Sequence, residues 1–459
     1  MQEPVPGLNS DPGHAAPSVQ RVASLRAALG SGQAADVRNF CREIKAPDLA
    51  DMIELLEPDE RIALIQTLGA SFDPEVLSEL DESVRDQISE ALPNAVLAKA
   101  VAELDTDDAA YVIEGLEEAD KQDVLSQIPS GDRAALERNL EYPEETAGRL
   151  MQTDFVAVPP FWTVGQVIDH MREAVNLPET FSDIIVVDPS YRVLGSLDLS
   201  RVLRSKRNVG VESIMDTDRH EVLATADQEQ MARQFERYDL KSAPVVDENK
   251  RLVGVVTVDD VVEVIEEEAE EDYRLLAGVG HESMSDSVVP TVRSRFLWLL
   301  VNLATAILAS SVIKLFDASI EQMVSLAVLM PIVASMGGNA GTQTMTVAVR
   351  ALATHDLGPA NANRVILREI AVGLINGALF AVIMALVVVF WFGVGKLGLV
   401  IGAAMICNLF AAALAGILIP LVLHHFDYDP AVASGVFVTT VTDVVGFFAF
   451  LGLATLVLL

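Results

Sequence analysis

One carboxylate stands alone in the last apolar stretch of this 459-residue chain: Asp443, within GVFVTTVTDVVGFFAFLGLATLVLL. A charge at membrane depth is costly and usually faces a bundle interior or an ion path. No basic residue accompanies it; Thr439, Thr440 and Thr442 lie just before it. An unpaired anion among hydroxyls is suited to a cation. A second polar interruption occurs in PIVASMGGNAGTQTMTVAVRALATHD, where Gly337, Gly338 and Gly341 surround Asn339, with Gln343 following. Pro331 and these glycines are expected to weaken a helix and to free carbonyls, which suit hard cations or a hydrated ion. The alternative is close helix packing through small residues. Elsewhere, seven of the ten residues from Glu263 to Asp272 are acidic. Like charges at i,i+4 repel, so divalent cations held by oxygens from several elements would relieve this face. The plainer reading is a solvated charged helix. No Walker-type lysine loop, H-E-x-x-H pair or nucleophile–base pair is visible, so an enzyme is the least favoured class.

The elements that position these groups fall into two halves. A formal charge of −34 coexists with 51% hydrophobic residues. Nearly all the acid precedes residue 273 and the long apolar runs follow residue 295. The chain therefore reads as an acidic soluble half joined to a membrane half. The acid argues against nucleic acid, whose phosphates it would repel. Cys41 and Cys407 fall one in each half and suggest neither a disulfide framework nor a metal cluster. Residues 1–18 have the composition of a disordered tail and lack a signal peptide's basic start and apolar core.

Residues 19–145 read as short amphipathic helices, such as DLADMIELL and DERIALIQTL, with acidic or small polar residues at their starts. Such helix–turn–helix units usually stack into a superhelix. Over 146–262 the chain repeats itself. MQTDFVAVPPFWTVGQVIDHM at 151–171 is echoed by MDTDRHEVLATADQEQMARQF at 215–235, and DIIVVDPSYRVLGSLDLSRVL at 183–203 by SAPVVDENKRLVGVVTVDDVV at 242–262. Each copy reads strand, helix, strand, turn, strand, helix. The pair resembles tandem cystathionine-β-synthase-type (CBS) domains, which commonly sense adenine nucleotides or ions. That resemblance puts Thr257 and Asp260 where such modules hold a ribose; the first copy has Asp198 and Arg201 there, so a complete second nucleotide site is not expected. Residues 263–292 form an acidic connecting helix and a linker, in which Gly278, Gly280 and HESMSDS break the helix.

From residue 293 onward five segments reach the roughly 20 apolar residues a span requires, at 296–316, 322–350, 367–393, 397–423 and 431–458. Arg293, Arg295, Arg350, Arg364 and Arg368 collect on one side, followed there by His424 and His425, while Lys314 and Lys396 lie at loops on the other. The positive-inside rule puts the N-terminal half in the cytoplasm and the C-terminus outside. The expected architecture is an all-α superhelical N domain, an α/β tandem CBS pair and a polytopic membrane domain of five helices.

GGNAGTQ at 337–343, followed by Arg350-Ala-Leu-Ala and by TTVTDVVGF at 439–447, closely resembles the MgtE magnesium transporters and channels. The resemblance covers essentially the whole chain; Val436 stands where the pattern favours proline. It implies a homodimer in the cell membrane whose pore lies between the membrane domains, with Asp443 as the pore carboxylate. Mg²⁺ dehydrates reluctantly and prefers octahedral oxygen. A largely hydrated Mg²⁺ held through water by Asp443, with carbonyls near Asn339 and the Thr439 hydroxyl close by, fits both. The resemblance further implies closure by cytosolic Mg²⁺. Its regulatory ligands would fall on Glu75 and Asp107 of the N domain, and on Asp227, Glu229, Asp239 and Asp260 of the second CBS copy. Glu263, Glu268, Glu271 and Asp272 continue them into the connecting helix. ATP enters as a modulator through the CBS pair. Competing readings are an ion-coupled metal exchanger and a membrane-bound sensor without transport.

Overall fold

The computed structural model describes residues 19–459 apart from 175, 176, 179, 280–287, 355, 359 and 427. The tail expected at 1–18 and the HESMSDS linker lie outside the described residues. Two compact units divide after Glu268.

The first unit opens with Val19–Gly30 (α1), Ala34–Arg42 (α2), Ala46–Glu54 (α3), Pro58–Leu68 (α4), Glu75–Ser78 (α5), Glu82–Ala91 (α6), Asn94–Val101 (α7), Thr106–Glu114 (α8), Glu118–Gln127 (α9) and Ser130–Leu140 (α10). These are the helices the periodicity predicts. α4 shows why they start and stop where they do. Pro58 occupies its first turn, and Glu57 and Glu60 form a reciprocal capping box. Leu64, Ile65 and Leu68 enter the core. Arg61 is buried and donates to Ile53 O at 3.1 Å and Glu54 O at 2.7 Å, satisfying carbonyls at the end of α3. α8 is anchored through Ala109, Ala110, Val112 and Ile113, and the buried Arg85 guanidinium lies 3.8 Å from the Tyr111 ring centroid. That anchoring leaves the first turn of α8, with Asp107 and Asp108, at the helix edge.

The repeat folds as two matching halves. In the first, Ala157–Val158 (β1) runs parallel to Asp183–Val187 (β2) after Val164–Glu173 (α11), and β2 pairs antiparallel with Val193–Asp198 (β3), which leads into Leu199–Arg204 (α12). In the second, Val222–Leu223 (β4), Gln228–Tyr238 (α13), Ser242–Val246 (β5) and Leu252–Thr257 (β6) repeat the order and pairing. Even the irregularities repeat. The register shifts at Val186/Val187 and at Val245/Val246. Asp188 accepts from Ser190 N and Arg192 N, as Asp247 does from Asn249 N and Arg251 N. Tyr191 and Lys250 both close these turns with positive φ, at 64° and 63°. The chain then enters Val258–Ala277 (α14), a single helix that begins inside the second copy and carries the acidic run.

In the second unit, Val288–Lys314 (α15), the short Asp317–Gln322 (α16), Ser325–Ala353 (α17), Ala362–Phe392 (α18), Gly395–His425 (α19) and Pro430–Leu458 (α20) follow. α19 is the central helix: Leu397, Ile401, Met405 and Leu409 are buried with Leu326, Leu329 and Val333 of α17 and Phe450 and Leu451 of α20. Among the described residues, four helices are long and apolar enough to cross a membrane: Thr291–Lys314, Ala362–Phe392, Gly395–His425 and Gly435–Leu458. α17, with 29 residues, is long enough, but Gly337, Gly338, Asn339 and Gln343 dilute its apolarity. A helix of that composition belongs against protein rather than lipid.

The expected weakening of α17 does not occur. Its helix runs unbroken from Ser325 to Ala353, past Pro331 and all three glycines. In an apolar setting an opened backbone costs more than a continuous one, and absent side chains here allow close approach instead. A Cβ on Gly416 of α19 would sit 2.7 Å from the Gly341 carbonyl oxygen. Val436, with an N–H that proline lacks, also leaves α20 continuous.

Candidate functional site

Asp443 lies half-buried on α20, with no hydrogen bond or ion pair to any described residue. The threonine hydroxyls do not turn to it. Thr439 donates to Gly435 O at 2.9 Å, Thr440 to Val436 O at 2.6 Å and Thr442 to Thr439 O at 2.9 Å. Each hydroxyl thereby settles its proton on the helix backbone and keeps acceptor lone pairs. Asn339 is exposed on α17, with Nδ2 3.5 Å from Ser335 Oγ. With α17 intact, its carbonyls are held within helical bonding. Among the described residues no group of three or more His, Cys, Asp or Glu closes around a metal. One carboxylate among neutral oxygens suits an ion that keeps much of its water.

The C-terminal end of α14 belongs to this same unit. Leu275 and Leu276 pack against Met345 and Val349 of α17, Ala415 of α19 and Ala431 and Val438 of α20. Val438 stands five residues before Asp443. Glu271 and Asp272 lie one turn earlier on that part of α14.

In the first unit, the start of α8 and the start of α14 bring carboxylates together. Asp107, Asp260 and Glu263, named from the sequence, are joined by Asp108, Asp105 and Glu79, which were not. Asp107 Oδ1 is buried without a hydrogen bond. Burial first, then Asp260 and Asp108, hold the Asp107 carboxyl well above the usual range. Burial and the Asp260 and Asp105 charges push Asp108 to about 7. Glu263 rises to about 7 through burial and its neighbours Glu79, Asp108 and Asp260. Asp260 rises to about 6, mainly by burial, although the Thr257 hydroxyl donates to its Oδ2 at 2.7 Å. Carboxylates that cannot all ionise together either keep protons or take up a cation.

Other expected ligands are engaged elsewhere. Asp227 caps α13, accepting from Glu229 N at 3.0 Å and Gln230 N at 3.2 Å. Glu229 pairs with Arg233 one turn on. Asp239 closes the opposite end of that 11-residue helix in the left-handed conformation, roughly 16 Å away at 1.5 Å per residue. Glu268 accepts from Gln228 Nε2 at 2.7 Å, and Glu75 is exposed on the first turn of α5.

The resemblance put a nucleotide at Thr257 and Asp260. Thr257 and Asp260 are bonded to each other beside the carboxylates of α8, where a triphosphate would be repelled. A cavity of about 430 Å³ opens instead at the matching corner of the first copy, lined by Asp198, Arg201, Arg219, His220, Tyr238 and Lys241 among others. The His220 and Tyr238 rings stack at 4.5 Å. Asp198 accepts from Ser200 N at 2.7 Å and from Lys241 Nζ at 3.2 Å, which lowers its carboxyl to about 2. Arg201, Arg219 and Lys241 share this cleft with five aspartates, Asp183, Asp198, Asp216, Asp218 and Asp239, and with the His220 and Tyr238 rings.

Residues 330–453 match the model of a family described as a divalent cation transporter, MgtE. Residues 44–145 match the MgtE intracellular N domain, and 147–208 with 211–267 match CBS domains. A magnesium transporter MgtE of Thermus thermophilus is 34% identical over 95% of this chain and 98% of its own. One of Bacillus subtilis is 30% identical over 93% and 95%. The solved cytosolic domain of a Mg²⁺ channel MgtE in complex with ATP has 34% identity and a TM-score of 0.50, covering 53% of this chain and 99% of that one. The chain belongs to the MgtE family, and is a multi-pass membrane protein.

Proposed function

We propose that the chain carries Mg²⁺ across the cell membrane through a homodimeric, channel-like pore, with its first half cytoplasmic and its C-terminus outside. The observation that carries this reading is Asp443, a carboxylate on an apolar helix with no hydrogen bond or ion pair to a described residue. The names of the relatives support Mg²⁺ as the ion. Two Asp443 side chains near a dimer axis would hold one hydrated ion, and octahedral demand would disfavour larger Ca²⁺. Liposomes holding the purified protein and a Mg²⁺ indicator test it: saturable uptake that Ca²⁺ does not reproduce is expected, and its absence would favour a sensor without transport.

Gating fits the acidic cluster. Bound Mg²⁺ would neutralise Asp107, Asp108, Asp260 and Glu263 and hold the start of α14; free carboxylates would repel. Since α14 ends against the helices around Asp443, its placement can bias the pore. Glu268, Glu271 and Asp272 follow along α14 as further candidate ligands.

ATP, or a related nucleotide, would occupy the cavity at Asp198 and Tyr238. Replacing Tyr238 with alanine is expected to weaken ATP binding about tenfold, the scale of one lost base stack; Asp198→Ala should act similarly through the ribose. Thr257→Ala should leave affinity unchanged. Calorimetry on the full chain checks all three, and the reverse pattern would return the nucleotide to Thr257 and Asp260.

One observation favours ion-coupled exchange as a second reading. Glu369 on α18, which the sequence places near a membrane end, is only 8% exposed and has no hydrogen bond or ion pair to a described residue. If it relays protons, a pH gradient alone will drive Mg²⁺ uptake, and Glu369→Gln will abolish that drive.

A further inference from the structure

Asn408, in the apolar run ICNLFAAALAG of α19, is completely buried. Its Nδ2 donates to Val333 O of α17 at 2.7 Å, which fixes the orientation of the carboxamide. Its Oδ1 is then buried without a hydrogen-bond partner. Two glycines close on this group from different helices. A Cβ on Gly337 of α17 would fall 2.2 Å from Nδ2 and 2.9 Å from Oδ1; on Gly446 of α20 the distances would be 2.7 and 3.1 Å. A Cβ at either position would press on the amide, so the two glycines are what leave it room.

A buried amide of this kind is expensive in an apolar bundle; leucine or alanine would pack there at lower cost. What the amide adds is register. Its donor fixes α19 against one carbonyl of α17, and its width sets how closely Gly446 of α20 can approach. Along α20, Val438 and Thr442 meet Gly341 of α17, with a Gly341 Cβ 2.5 Å from Val438 Cγ1 and 3.5 Å from Thr442 Cγ2. Contacts at Val438, Thr442 and Gly446 thus bracket Asp443, which lies three residues before Gly446 on a neighbouring face.

We propose that Asn408 is a positioning residue which, wedged between Gly337 and Gly446, sets the axial register of α20 and so the place of the Asp443 carboxylate. The proposal rests on the reading that Asp443 lies in the cation path. A rigidly placed carboxylate fixes the geometry offered to a hydrated ion, so displacing it changes which ion is bound and how well, as well as the rate.

The test is initial flux in liposomes for wild type, Asn408→Ala, Gly446→Ala, the Gly446→Ala/Asn408→Ala double variant and Asp443→Ala, each with half-saturating Mg²⁺ and the Mg²⁺-to-Ca²⁺ flux ratio. Gly446→Ala should lose about tenfold or more of its flux, the scale of overpacking a close contact. Removing the amide in that background should restore flux to the Asn408→Ala level, because the added methyl then has room. Asn408→Ala should shift half-saturation and lower the ion ratio. A fall in rate alone, with half-saturation and ratio unchanged, would make Asn408 merely structural and overturn the proposal. Losses in the double variant that multiply those of the single ones would also overturn it. Wild-type behaviour of Asp443→Ala would instead remove the cation-path reading beneath it.

Discussion

Asp443→Ala is expected to lower Mg²⁺ flux by at least about 100-fold in a protein that still folds and inserts. For a divalent ion about 5 Å from a carboxylate, Coulomb's law at an effective dielectric of 20 gives about 7 kcal/mol of attraction. Each 1.4 kcal/mol or so of lost stabilisation is about a tenfold rate, so even a water-screened fraction of that attraction suffices. Asp443 has no ion pair with a described residue, so its removal should not destabilise the bundle through a broken ion pair. Two further variants separate charge from shape. Asn keeps the outline and should fail nearly as badly as Ala. Glu keeps the charge but moves it outward, and should retain flux while losing discrimination against Ca²⁺. Comparable flux from Asn and wild type, in equal amounts of inserted protein, would remove the carboxylate from ion selection.

The second large effect concerns the cytosolic face. With Asp107, Asp108, Asp260 and Glu263 changed together to Asn or Gln, transport should continue at cytosolic Mg²⁺ that closes the wild type. A ligand shifts such an equilibrium only through differential affinity for one state, and these side chains are where that difference would arise. Proton linkage gives an independent handle. Asp108 and Glu263 stand at about 7 and Asp260 at about 6, above ordinary carboxylates. The folded cluster thus binds protons more tightly than the unfolded chain, so its contribution favours folding at low pH. That contribution is lost as pH rises through about 6 to 7, when ionised neighbours repel. Without Mg²⁺, the full chain should melt at a lower temperature at pH 8 than at pH 6, and saturating Mg²⁺ should narrow the gap. Because metal binding needs the ionised forms, less Mg²⁺ should be needed for closure at pH 8 than at pH 6. A thermal melt that is flat between these pH values, with and without Mg²⁺, would count against the cluster as a cation site.

The order of elements was legible because local chemistry and global fold agree. Asp188 and Asp247 build the same turn in both repeats, and each amphipathic helix of the N domain buries the face its spacing marks. Asp107, Asp260 and Glu263 were legible as candidate ligands only through the family pattern; Asp108 and Glu79 join them through packing of α8 and α5 that no local signal reports. The cavity at Asp198 shows a different limit. Repetition makes two similar corners, and tertiary contact makes them differ: acids of α8 crowd Asp260, while Arg201, Arg219 and Lys241 join the aspartates at the other. Gly337 and Gly341 read equally well as helix breakers or contact points, since both need a missing side chain. Their partners settle it, and one of them, Asn408, is invisible within an apolar run. Asp227 and Asp239, both candidate ligands by resemblance, stand at opposite ends of an 11-residue helix.

The most direct measurement is electrical: current through the purified wild-type protein in a planar bilayer with Mg²⁺ as the only permeant cation, the Mg²⁺ on the cytosolic face being stepped upward. The account predicts a current that reverses at the Mg²⁺ equilibrium potential and shuts as cytosolic Mg²⁺ rises. A reversal that follows the proton gradient, or a current indifferent to cytosolic Mg²⁺, would contradict it.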